Sequence, residues 1–138
     1  MQTFLPYASY YQSAAALDRM RLGKQRVEAW QILRALRGET KGWVNHPATK
    51  MWRGYEFALC QYGISICAEW EYRGYNDTLL DRFAEMANEY DICDNPWWLG
   101  YEPLHLSHQS NLYRKDPIYY SQFSGVGAEL PYVWVTNQ

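Results

Sequence analysis

The stretch Leu17-Asp-Arg-Met-Arg-Leu-Gly-Lys-Gln-Arg-Val-Glu-Ala-Trp-Gln-Ile-Leu33 decides how this chain is read. At 100° per residue, Leu22, Ala29, Leu33 and Leu36 share one helical arc, and Arg21, Lys24, Gln25, Glu28 and Gln31 take the opposite one. Glu28 is the only acid between Asp18 and Glu39. One carboxylate on a cationic, amide-bearing face suits chemistry on a polyanion: the cations hold phosphates while the carboxylate stays near the reacting sugar or base. The same spacing also fits a solvated face with ion pairs from Arg21 or Lys24 to Glu28.

Outward from this segment the pattern is helical. Ser13 is placed to cap a first helix that runs to about Leu36 and stops at Gly38, with Gly23 a weak point inside it. Residues 1–12 read as extended. Asn45 and His46 before Pro47 open a second helix, carried by Trp52, Tyr55, Leu59, Tyr62 and Ile66 and ending at Gly74. Asp77 opens a third over 79–90, a loop covers 91–103, and a fourth spans 104–115 before Pro117. Pro131-Tyr-Val-Trp-Val135 has strand-like composition without an obvious partner. The expectation is all-α: a compact helical bundle of one domain, residues 1–138, with irregular aromatic-rich loops and a C-terminal tail.

Composition agrees with one domain, because 138 residues at 48% hydrophobic suffice for one core and not two. Cys60, Cys67 and Cys93 are odd in number and lack Cys-x-x-Cys spacing, so neither a disulfide framework nor a zinc ribbon is indicated. No run approaches the roughly 20 apolar residues of a membrane span. A soluble, cytoplasmic protein is expected. Charge divides the chain: residues 1–53 hold nine Lys and Arg against three acids, a balance of +6, and residues 54–138 hold four against twelve, a balance of −8. The N-terminal part therefore carries the footprint of a nucleic-acid binder, with Arg21, Lys24 and Arg26 the phosphate contacts expected on its helix.

Aromatic residues make up 17% of the chain. Most belong in a core, but Trp97 and Trp98 follow Asn95-Pro96 in the predicted loop, where adjacent tryptophans call for a covering partner. Tyr119-Tyr-Ser-Gln-Phe123 is a second such segment. His105 and His108 are spaced as a helix pair, and no Cys or acid completes a metal set around them. Gly125-Val-Gly127 lacks the flanking strand and helix of a dinucleotide loop and reads as a turn. No metal and no cofactor is expected. His46, at a helix start, fits either a cap or a group that exchanges a proton near pH 7.

Arg21-Leu-Gly-Lys-Gln-Arg-Val-Glu28 is followed by Trp43-Val-Asn-His-Pro47, Met51-Trp-Arg-Gly-Tyr55, Glu69-Trp-Glu-Tyr-Arg73-Gly-Tyr75, Leu112 to Lys115 and Tyr120 to Gly125. In this order the segments resemble the pyrimidine-dimer DNA glycosylases of the phage endonuclease V type. Leu22 and Glu28 fall on that family's first-helix pattern, whose second Glu is catalytic. The resemblance implies a compact helical domain that removes a damaged pyrimidine from duplex DNA and then nicks the strand through an apurinic lyase step. It also implies that the nucleophile is the α-amine of the mature N-terminus. An α-amine has an ordinary pKa of about 7.7–8.0 against about 10.4 for lysine, so a useful fraction is unprotonated at neutral pH. The better-known members expose threonine after methionine removal; here the bulky Gln2 keeps Met1, which becomes the expected nucleophile beside Glu28.

The full expected site is Met1 and Glu28 for catalysis, with Arg21, Lys24, Arg26, Gln31, His46, Trp97 and Trp98 on the DNA. The partner is double-stranded DNA containing damaged or modified pyrimidines, bound by a monomer without a membrane. Dimers, another lesion and a modified pyrimidine all stay open as the target. Two other classes fit the same residues: a catalytically silent nucleic-acid-binding module, and a protein-interaction domain anchored by Trp97 and Trp98.

Overall fold

A computed structural model describes residues 1–136. Its elements are α1 (Tyr10–Ala16), α2 (Arg19–Leu36), α3 (Pro47–Lys50), α4 (Glu56–Tyr72), α5 (Leu80–Ala87) and α6 (Glu102–Lys115), followed by a 3-10 turn at Ser121–Phe123. Among the described residues there is no strand, as an all-α reading requires. None of the helices is long and apolar enough to cross a membrane.

Two of the expected helices are broken. The first divides at Leu17 and Asp18, both extended, and each half carries its own cap. Ser9, not Ser13, caps α1 by accepting from the Gln12 N–H, and Asp18 caps α2 by accepting from the Arg21 N–H. Ser13 is buried inside α1 and bonds both backbone groups of Tyr7. The end of α1 is closed from a distance: Arg73, paired with Glu69, donates to the carbonyls of Ala15 and Leu17 at 3.2 and 2.7 Å. Helical periodicity carries no trace of that contact. The second expected helix forms only one turn, α3, before Gly54 at φ +87 redirects the chain into α4.

The core sits where α2 packs on α4, with α1 and α5 against other faces of α4. Leu22, Ile32, Leu33, Leu59, Ile66, Trp52 and Phe83 are fully buried there. Gly23 is a point of contact: a Cβ would stand 3.0 Å from the Trp70 ring. Cys60 and Cys67 are free thiols within this core. The C-terminal tail forms no strand and runs along α6 instead. Leu130 N–H bonds Ser110 Oγ, Leu130 C=O accepts from Asn111 Nδ2, and Val133 N–H bonds Ser107 Oγ. Three buried polar side chains of α6 thus satisfy a backbone that would otherwise be held without partners.

Candidate active site

The same device on a larger scale places the N-terminus. Residues 2–6 are buried and extended, with no strand beside them, so helix side chains supply the hydrogen bonds of a neighbouring strand. From α2, Gln25 Oε1 accepts from Phe4 N–H at 3.0 Å and its Nε2 donates to Gln2 C=O at 2.8 Å. From α4, Tyr62 donates to Phe4 C=O at 2.9 Å. From α6, His108 Nδ1 accepts from Leu5 N–H, His105 Nδ1 donates to Leu5 C=O, both at 2.8 Å, and Gln109 donates to Pro6 C=O at 2.7 Å. Gly100 N–H donates to His105 Nε2, which leaves the His105 proton on Nδ1. The two histidines are therefore clamps on the N-terminal segment. Burial, followed by His105 nearby, lowers the His108 pKa to about 3, so its ring is neutral.

This segment delivers the chain start to Glu28. Gln2 N–H donates to Glu28 Oε2 at 3.1 Å, Gln25 Nε2 donates to the same oxygen at 3.3 Å, and Lys24 Nζ stands 3.6 Å from Oε1. Only 11% of the Glu28 side chain is exposed, against 74% for Lys24. Gln25 has partners at all four of its hydrogen-bonding positions, since the single Tyr62 O–H, shared with Phe4 C=O, also reaches its Oε1 at 2.8 Å. A cavity of about 450 Å³ opens over these groups, lined by Met1, Gln2, Gln25 and Glu28 together with Arg21, Lys24, Lys115 and Tyr132. Its volume lies within the range of about 300–1,000 Å³ usual for ligand sites.

The cations at the rim are held in different ways. Arg21 pairs with Asp18 at 3.1 Å, and Tyr120 hydrogen-bonds the same carboxylate. Burial works to raise the Asp18 pKa, but the hydrogen bonds from Tyr120 and Arg21 outweigh it and hold the group low. Lys115, at the end of α6, is lowered by partial burial and then by Arg21, Arg114 and Lys24.

The other expected site residues separate from this cavity. Arg26 does not face it: its guanidinium bonds Asp77 at 2.7 Å and lies 5.1 Å over the Trp70 ring, tying α2 to the start of α5. Trp98 is fully buried, with its indole N–H on Met51 C=O and its ring against Trp52, so it has no face to offer a base or a partner protein. Pro96 and Trp98 are buried, and Trp97 between them is exposed. Trp97 is exposed but belongs to a separate shallow depression with Arg53, Tyr55 and Asp94. Gln31 is exposed on α2 and does not line the cavity. His46 caps α3 by accepting from Ala48 N–H at 3.0 Å. Its pKa is lowered, first by partial burial and then by the charge of the α-amine, with Glu28 opposing.

Gln2, Gln25, Lys115 and Tyr132 line the cavity without being among the residues expected there. Gln25 lay on the polar arc, but only its four bonds reveal its task. Lys115 and Tyr132 come from parts of the chain remote from α2. Among the described residues no group of His, Cys, Asp and Glu is placed to hold a metal ion.

The first residues therefore lie against a buried carboxylate in a cavity rimmed by cations, on an all-helical fold. The chain belongs to the pyrimidine dimer DNA glycosylase family, whose model matches residues 1–83. That span contains Met1, Arg21, Lys24, Gln25, Glu28 and His46. No curated protein and no solved structure matches the chain.

Proposed function

We propose that this protein is a DNA glycosylase with an associated apurinic lyase activity, acting on damaged pyrimidines through an imine with the Met1 α-amine. The observation that carries this reading is the 3.1 Å hydrogen bond from Gln2 N–H to Glu28, which brings the first residue and the only acid of its helix face into one cavity. The amine attacks the anomeric carbon as the bond to the base breaks, and the base leaves with the electron pair and takes up the proton that the amine gives up on forming the new C–N bond. Glu28 stabilises the positive charge that develops on the sugar. The sugar ring then opens to an imine, and loss of the adjacent carbon-bound proton to Glu28 expels the 3′ phosphate.

The site does not end with the matched residues. Lys115 and Tyr132 lie beyond residue 83 and line the same cavity as Glu28, which supports a single glycosylase domain built from the whole described chain. Arg21, Lys24 and Lys115 are the phosphate contacts of this reading. The target nucleotide must leave the stack to put its sugar carbon in the cavity.

Borohydride trapping on duplex DNA carrying a pyrimidine dimer tests the proposal. Only an imine is reduced to a stable covalent adduct, so an adduct between protein and DNA is expected. Tight binding without any adduct would refute the lyase step and leave a glycosylase without it or a silent binding module.

A further inference from the structure

Beside the cavity stands an aromatic cluster that the chemistry above does not use. The His46 ring lies 5.5 Å from Trp43 at 74° and 5.7 Å from Trp134 at 83°, and Trp134 lies 5.6 Å from Tyr132, which lines the cavity wall. Both indoles keep solvent-exposed surface, Trp43 being 50% exposed and Trp134 38%. Trp43 is also the one non-glycine at positive φ among the described residues, at 66°, a backbone state unfavourable for a bulky side chain. The fold thus holds a large apolar ring outward, in a strained conformation, next to a cationic cavity.

We propose that Trp43, His46 and Trp134 form a stacking site for one nucleobase unstacked from the duplex at the lesion. The inference rests on the glycosylase reading and names the group that flanks its sugar site. Exposing an anomeric carbon unstacks bases, and aromatic faces compensate for the lost stacking without regard to sequence. Arg21, Lys24 and Lys115 hold the phosphates that bring the strand to this wall. His46 adds a polar handle: its Nδ1 is taken by Ala48 N–H, so the neutral ring presents Nε2–H as a donor to a base edge. The stacked base is either the damaged pyrimidine or the base opposite it, and the chemistry of the site is the same for both.

Single-turnover nicking by the Trp43→Ala, Trp134→Ala double variant is compared with wild type on three duplexes. The first carries a pyrimidine dimer, the second a preformed abasic site, and the third a dimer opposite an abasic position. A loss of about tenfold or more is expected on the first, the scale of one base–aromatic stack, with Trp43→Phe restoring most of it in the Trp134 background. A loss that vanishes on the second duplex identifies the damaged base as the occupant, and one that vanishes on the third identifies the opposite base. No loss on the first duplex, or an equal loss on all three, would overturn the stacking site. A wild-type protein that nicks none of them would refute the glycosylase reading itself.

Discussion

Replacing Glu28 by glutamine isolates the charge from the shape of the site. The amide keeps an oxygen to accept from Gln2 N–H and Gln25 Nε2, now at 3.1 and 3.3 Å, and its NH2 turns towards Lys24, whose side chain is 74% exposed and free to swing away. A hydrogen bond to a charged acceptor is worth about 1.5–3 kcal/mol and a neutral one about 0.5–1.5 kcal/mol, so over the two bonds the fold loses on the order of 2–3 kcal/mol. The chemistry loses more. A positioned carboxylate that moves a proton contributes about 10²–10⁴-fold, equal to about 2.7–5.4 kcal/mol of barrier. Nicking of an end-labelled duplex carrying a pyrimidine dimer, measured at single turnover, is expected to fall at least about 100-fold. Binding measured by fluorescence anisotropy should hold or strengthen, because the cavity loses its negative charge. Nicking within about threefold of wild type would remove Glu28 from the mechanism, whatever the geometry suggests.

Adding residues before Met1, or acetylating its amine, is expected to abolish the borohydride adduct; a blocked protein that still forms it would move the nucleophile to a lysine, with Lys24 and Lys115 at the cavity. Lys24→Ala should lower the slope of log affinity against log salt by about 0.9 for its one phosphate contact. Arg26→Ala should leave that slope unchanged and instead cost about 3 kcal/mol in urea unfolding, because Asp77, with 1% of its side chain exposed, loses its cation. Loss of slope without loss of stability in Arg26→Ala would return that residue to the DNA. His108 makes stability depend on pH. Its folded pKa of about 3 lies below the ordinary value of about 6.5, so the unfolded chain takes the proton first. Stability is then full above about pH 6.5 and falls by about 1.4 kcal/mol per unit as pH drops towards 3. His108→Asn keeps an acceptor for Leu5 N–H without titrating, and an unchanged acid slope in that variant would refute the assignment.

Much of this was legible in the chain. The helical arcs of residues 19–36, the apolar repeat of 56–72 and the stop before Pro117 are local periodicities, and they establish the all-α class because each helix must bury one stripe. The family resemblance and the isolation of Glu28 are equally a matter of sequence order. Charge alone, however, does not say which cations face the site. Arg21, Lys24 and Arg26 look alike in the sequence, yet one is anchored by Asp18, one is solvent-exposed and paired with Glu28, and one is committed to Asp77 and Trp70. Trp97 and Trp98 are adjacent in the same loop and end on opposite sides of the surface boundary.

The sequence by itself determined the all-α class, the apolar stripes of the long helices and the candidate carboxylate, since these depend on residues a few positions apart, but not the breaks at Leu17–Asp18 and Gly54. Only the tertiary structure decided where the N-terminus lies. Residues 2–6 have no periodicity to read, and their path follows from burying a backbone whose polar groups must all be paired. Gln25, Tyr62, His105, His108 and Gln109 supply those pairs from three helices as far as 103 residues away in sequence, and so bring the first residue against Glu28.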